Sequence, residues 1–187
     1  MPKKSKKSEI LSTAITLFSD KGYDATGMDE IAAGAGVPKS LIYYHFKNKE
    51  DLLNYILIDF FNEYARILQD KTDAGVDKIT KYIRFLEENK EKTRILLSES
   101  LKPSGNYHTA IFKAVEILIS NDPDLSEHPH WVTEFFTSML PAALFVCYSE
   151  AWCQYFDVHP ETLANDFSNA YKLTHGAYHE HIKKESL

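Results

Sequence analysis

The sequence predicts an all-α fold of about nine helices, and three observations carry that prediction. Apolar residues recur at intervals of three or four along most of the chain. Runs of alternating polar and apolar residues bounded by turn signals, the mark of strands, are absent. Prolines and glycines stand at the edges of the periodic runs, where they start or stop helices. With 187 residues, 44% of them hydrophobic, the chain can bury a substantial core in one or two compact units, and it has no internal repeats.

Lys3, Lys4, Lys6 and Lys7 form a basic arm, read either as a solvated tail or as a segment that lies along nucleic-acid phosphates or in a minor groove. Ile10, Leu11, Ala14, Ile15, Leu17 and Phe18 follow helical spacing, and Gly22 suits a helix end, so the first helix spans about Ser8 to Lys21. Met28, Ile31, Ala32 and Ala35 build the apolar face of a second, short helix. Gly36 stops it because glycine adopts positive φ without steric cost, and Val37 is pushed toward extended backbone by the proline after it. Pro38 suits the first position of a third helix, reaching about Phe46.

Two short helices joined by so tight a turn form a helix-turn-helix, which sets the start of its second helix against base edges in the major groove. Lys39, Ser40 and Leu41 hold that reading position. A lysine donates to guanine O6 and N7, a serine serves either kind of edge, and a leucine meets a thymine methyl. Leu41 or Ile42, together with Phe46, faces inward, leaving Tyr43, Tyr44 and His45 as donors and stacking groups. A purely structural helix pair is the alternative.

Thr26, Ile31, Ala32, Ala35, Gly36, Val37, Lys39, Tyr43, Tyr44, His45, Phe46, Lys49, Leu52 and Leu53 stand in unbroken register with one known signature. Over this first quarter the chain resembles the tetracycline-repressor (TetR) family. The resemblance implies that Thr26, Tyr43 and Lys49 hold phosphates, that Lys39, Ser40 and Leu41 read bases, and that Tyr44 and His45 sit at the groove edge. The chain departs from the family at Gly27 and Pro38, where Ser or Thr and Ser are usual, and at Leu41, where small or hydroxylated residues are commoner. Gly27 still caps tolerably and offers a bare N–H to a phosphate, whereas Pro38 forgoes a hydroxyl cap worth about 1 kcal/mol.

Charge divides the chain in the same place. Residues 1–49 carry eight Lys and Arg against five Asp and Glu, a net of +3, while residues 50–187 carry thirteen against twenty-two, a net of −9. Together with the family resemblance, this division implies a DNA-binding domain over 1–49 and an effector-binding and dimerisation domain over 50–187. DNA affinity should reside in the basic tip and fall with salt.

Leu52, Leu53, Ile56, Phe60, Tyr64 and Leu68 mark a long helix from about Lys49 to Asp70. Val76, Ile79, Ile83 and Leu86 mark another, a short one covers about Thr93 to Leu101, and the turn at Pro103-Ser104-Gly105-Asn106 introduces one ending near Asn121. A loop from Asn121 to Pro129 precedes a long helix from about His130 to Phe156, interrupted by Pro141, and Pro160 opens a last helix to about Lys183. The last two helices carry Phe135, Leu163, Phe167, Tyr171, Thr174 and Tyr178 in stripes that either complete the chain's own core or meet a partner. The family resemblance implies a four-helix bundle with a second subunit, hence a homodimer suited to a palindromic operator.

Candidate pocket residues are Phe60, Tyr64, Phe85, Phe112, Trp131, Phe145, Tyr148 and Trp152, since ligand cavities are mostly apolar, although the same residues would equally fill a packed core. Cys147 and Cys153, six apart and the only two cysteines, read as reduced thiols. His175 and His179 share a helix face at a spacing that can chelate zinc, with His181, Glu180, His128 and His130 nearby or elsewhere. No tetrahedral shell is completed, and no metal or cofactor is expected.

There is no glycine-rich phosphate loop, nucleophile elbow or Cys-x-x-Cys, so enzymatic chemistry is not expected. The longest apolar stretch, Met139 to Tyr148, is far short of a membrane span and the N-terminus lacks a signal-peptide core, so a cytoplasmic protein is expected. The expectation is a sequence-specific DNA-binding regulator: a dimeric repressor released from double-stranded operator DNA by an unknown small-molecule effector. The alternative is a ligand- or metal-binding helical sensor or adaptor that does not itself repress by binding DNA.

Overall fold

The computed structural model describes residues 5–69, 78–102, 112, 116 and 135–185. Among them lie eight continuous α-helices and no strand. No helix among the described residues is long and apolar enough to cross a membrane. The chain forms two compact units, one drawn from residues 1–70 and 91–121, the other from 71–90 and 122–187. Lys3 and Lys4, Val76, the turn at Pro103, the loop from Asn121 to Pro129, and Trp131 lie outside the described residues.

In the first unit, α1 spans Lys6–Lys21. Ser5 caps it, its Oγ accepting the Ser8 N–H at 3.1 Å, so the helix starts two residues before the expected Ser8. Lys6 and Lys7 consequently belong to its first turn and not to a basic arm. Lys6 pairs with Glu9 at 2.6 Å, and the Lys7 ammonium lies 3.9 Å from the centre of the Tyr55 ring. Ile10, Ala14 and Phe18, four residues apart, form the buried stripe.

Helix α2 spans Met28–Gly34 and α3 Lys39–His45. Between them the Gly36 N–H bonds the Ala33 carbonyl and the Val37 N–H bonds the Ala32 carbonyl, the paired bonds of a Schellman stop, with Gly36 at φ +61°. Pro38 is extended, at φ −66° and ψ 144°, and caps α3 from outside; the helix begins one residue later than expected. Helix α1 packs on α2, α3 and α4, the last spanning Lys49–Gln69. The approach of α1 to α2 is close: a Cβ at Gly34 would lie 2.7 Å from Thr13 Cγ2. Asn48 Oδ1 accepts from the Asp51 N–H at 2.7 Å and Asp51 reaches back to the Lys47 N–H at 3.0 Å, a reciprocal cap on α4. Leu52, Leu53, Ile56, Leu57, Phe60 and Phe61 are buried along α4. Helix α6, Lys90–Ser100, buries Ile95, Leu96 and Leu97, and its Lys92 pairs with Glu63 of α4 at 3.2 Å.

The second unit holds α5 (Lys78–Glu88), α7 (Leu140–Phe156) and α8 (Pro160–Glu185). Pro141 lies in the first turn of α7, which a π-helical turn over Phe135–Met139 precedes. The expected interruption of the helix takes the form of a change from this π-helical turn to the α-helix at Leu140: proline has no N–H for the carbonyl four residues back, and the wider turn accommodates that loss. Helix α5 packs on α7 with Tyr82, Phe85 and Leu86 buried, and the Tyr82 hydroxyl donates to the Met139 carbonyl at 3.2 Å. Asp157, left-handed at φ 52°, ends α7.

Candidate nucleic-acid interface

Packing decides which side of α3 is presented. Ile42 is fully buried and Phe46 nearly so, Leu41 is half-buried, and Lys39, Ser40, Tyr43 and Tyr44 are exposed, with Tyr44 the most open at 80%. His45 is half-buried, its ring edge-on to Tyr44 at 5.1 Å. Because 3.6 residues make a turn, burying positions 42 and 46 turns 39, 40, 43 and 44 outward together.

Lys39 does not project alone. Its Nζ lies 2.5 Å from Asp29 Oδ1 in the first turn of α2 and 5.9 Å from the centre of the Tyr43 ring. The bond to Asp29 pushes the Lys39 ammonium above the ordinary lysine value. Glu30, next along α2, is held below the ordinary glutamate value chiefly by the Lys21 ammonium and also by the N–H of Gly27. Gly27, exposed, serves as the cap of α2 with no side chain of its own to contribute.

Two residues assigned to phosphates are engaged within the unit. Thr26 is buried, and its hydroxyl donates to the Gly22 carbonyl at 2.8 Å. Lys49 donates to the carbonyls of Tyr23 at 2.8 Å and Thr26 at 2.9 Å, and lies 4.3 Å from the Tyr23 ring centre. Both tie the loop ahead of α2 to its neighbours. Lys47, exposed between α3 and α4, was not singled out by sequence reasoning; its place in the +3 of residues 1–49 is the signal that marks it. Asp29 left no such signal, because only the fold brings it to Lys39.

A second cluster supports the same loop. Lys102, just past α6, bonds Asp24 at 2.7 Å and buried Glu99 at 2.7 Å. The Lys102 bond holds Asp24 below the ordinary aspartate value. Burial alone would lower the Lys102 ammonium, yet Asp24 and Glu99 leave it raised.

The candidate pocket residues are spread over both units. Phe60 and Tyr64 are buried in the first; Phe112, helical, is exposed. In the second, Phe85 is buried, Phe145 is half-buried, and Tyr148 and Trp152 are exposed. Of the candidate interface residues, Phe167 stacks on Phe145 of α7 at 3.9 Å and on Tyr171 at 5.5 Å, and Tyr171 stacks on His175 at 5.7 Å. Leu163 and Tyr178 are half-buried, and Thr174 is exposed, its hydroxyl donating to the Ala170 carbonyl. Phe135 opens the π-helical turn. Leu144, Tyr148, Trp152, Tyr155 and Phe156 form an exposed apolar stripe along α7. Cys147 and Cys153 are half-buried and are not joined by a disulfide. Among the described residues no group of three or more His, Cys, Asp and Glu side chains is placed to hold a metal ion.

Residues 10–56 match the bacterial regulatory proteins of the tetR family. The biofilm operon icaADBC HTH-type negative transcriptional regulator IcaR of Staphylococcus aureus is 32% identical over 113 residues, 56% of this chain and 61% of that relative. The fatty acid degradation regulator FadR from Bacillus halodurans is similar in structure, with a TM-score of 0.68 at 16% identity over 92% of this chain and 96% of its own. The transcriptional regulator FadR from Bacillus subtilis, solved with stearoyl-CoA, has a TM-score of 0.60 at 17% identity, covering 87% and 94%. These two structures share the all-helical fold.

Proposed function

We propose that this chain, whose residues 10–56 match the bacterial regulatory proteins of the tetR family, is a member of that family and a sequence-specific DNA-binding transcription regulator, a dimeric repressor that a small-molecule effector releases from a palindromic operator. The observation that carries the reading is the outward face of α3, where Lys39, Ser40, Tyr43 and Tyr44 stand exposed over a locked Ile42 and Phe46. Lys39, Ser40 and Leu41 read base edges, Tyr43 holds a phosphate, and Tyr44 and His45 border the groove. Thr26, Gly27 and Lys49 serve the interface by fixing the start of α2, with the Gly27 backbone nearest the phosphates. Residues 1–49 read DNA, and residues 50–187 bind the effector and a second subunit.

The stripe from Leu144 to Phe156 supports dimerisation, since so large an apolar surface on an acidic chain is seldom left in water. With α8 it supplies half of a four-helix interface, and the twofold axis sets two reading helices one DNA turn apart. The stearoyl-CoA complex of the Bacillus subtilis FadR supports an effector role for residues 50–187. Release requires only that the effector bind better to the conformation that fits DNA poorly; a coupling of about 1–3 kcal/mol changes occupancy roughly 5–150-fold. The protein acts in the cytoplasm, where its DNA is.

The test is a gel-shift titration against the DNA flanking its own gene, with scrambled competitor. A specific complex is expected, weakened in Tyr43→Phe and steeply salt-dependent. Equal affinity for scrambled DNA at low salt would overturn the reading in favour of a ligand-binding adaptor.

A further inference from the structure

We propose that Asp29 and Lys39 act as one recognition unit that reads a single G·C base pair in each half-site, an assignment that rests on the DNA-binding reading above. The two residues come from different helices, α2 and α3, yet their charged atoms meet at 2.5 Å on the exposed side of the motif. Side-chain exposures of 73% for Asp29 and 52% for Lys39 make the pair worth little to stability. A carboxylate beside the reading helix also repels phosphates, so its presence there calls for a compensating contact.

The major-groove edge of a G·C pair supplies one. Guanine offers two acceptors, O6 and N7, and cytosine offers the N4 amino donor. O6 and N4 are themselves joined by a base-pairing hydrogen bond of about 2.9 Å, so an acceptor and a donor lie side by side at nearly the spacing of the Lys39–Asp29 pair. Lys39 donates to guanine while Asp29 accepts from cytosine, and the pair docks without either charge losing its partner. An A·T pair also sets an acceptor, thymine O4, beside the adenine N6 donor, but gives the lysine one acceptor bordered by a methyl group in place of two. Tyr43, whose ring lies under the Lys39 ammonium, keeps the chain from swinging toward the backbone. Asp29 therefore commits Lys39 to a base in place of a phosphate.

The experiment selects binding sites for the wild-type protein from a pool of random duplexes. Every position of the selected site is then substituted in turn and titrated against wild type, Asp29→Asn, Asp29→Ala and Lys39→Ala, each checked for helical content. One position per half-site is expected to prefer G·C by roughly 5–150-fold, the range of a good base contact, and to lose that preference in both Asp29→Ala and Lys39→Ala. The double variant loses no more at that position, and Asp29→Ala binds random duplex more tightly than wild type. The assignment is overturned if Asp29→Ala strengthens selected and random DNA by one factor with the preference intact, or if the position sensitive to Lys39 is A·T. Failure of the wild type to select any sequence would instead overturn the regulator reading itself.

Discussion

The Lys49 ammonium donates to the Thr26 carbonyl at 2.9 Å, and through this bond and its partner at Tyr23 the first residue of α4 holds the loop that launches α2. Replacing Lys49 with methionine keeps the aliphatic stem but takes the ammonium donor from the Thr26 carbonyl and leaves the Tyr23 carbonyl without its charged donor, held by the Thr26 N–H at 3.2 Å. A loss of about 1–3 kcal/mol in urea denaturation is expected, with weaker DNA binding as a consequence of a displaced α2. Unchanged stability with weakened binding would instead make Lys49 a direct DNA contact.

At Gly34, α2 passes close to Thr13 of α1. Alanine is the better helix former by about 1 kcal/mol, but its Cβ would fall 2.7 Å from Thr13 Cγ2, and overpacking costs about 1–3 kcal/mol. Gly34→Ala should therefore lower the urea midpoint. Thr13→Ser, which removes the clashing methyl, should restore it in the double variant.

Lys102 bridges exposed Asp24 and buried Glu99, so Lys102→Met strands a carboxylate with almost no access to water. A loss of about 1–3 kcal/mol is expected, recovered in large part by adding Glu99→Gln. The pH dependence follows from the directions of the shifts. Asp24 has a depressed pKa, so its contribution is present above the unfolded value of about 4 and disappears as pH falls through the folded value. Lys102 has a raised pKa, so its contribution is complete below the unfolded value of about 10.4 and is lost as pH rises past the folded one. The stability difference between wild type and Asp24→Asn should be flat near neutrality and shrink below about pH 4.

Lys47, exposed two residues past α3, is expected to meet a phosphate rather than a base in the proposed DNA complex. Lys47→Ala should weaken selected and random DNA alike and reduce the slope of log affinity against log salt by about 0.9. A loss confined to one sequence, seen by the same titration, would make it a base reader.

Trp152 sits in the exposed stripe of α7, stacked on Phe156 at 4.7 Å. Trp152→Glu puts a charge in the surface proposed to meet the second subunit. Sedimentation should show a dimer for wild type and a monomer for the variant, with operator affinity lost alongside. A variant that sediments as wild type does would place the interface elsewhere.

Signals confined to a few residues were readable directly. The stop at Gly36, Val37 and Pro38 depends on one glycine's φ and one proline's ring, and the bonds that close it span no more than five residues. The course of α4 follows from a single apolar period, and the start of α8 from Pro160. The start of α1 is not legible in the sequence because Ser5 lies within a lysine run, where a cap and a tail look alike.

What could not be read was how polar side chains are spent. Sequence spacing left Leu41 and Ile42 interchangeable on α3; packing against α1 and α2 buried Ile42. Thr26 and Lys49 match a phosphate-binding pattern, yet in the fold their donors go to backbone carbonyls. Lys39 pairs across a helix boundary, and Lys102 meets Asp24 over 78 residues of chain. A helix is decided by bonds four residues apart and is written locally, whereas an ion pair depends on where two helices come to rest. The amino-acid order therefore settles the helices and the turn between α2 and α3, and the packing of α1 to α4 and α6 settles which charges stand exposed on α3 and which hold the motif together.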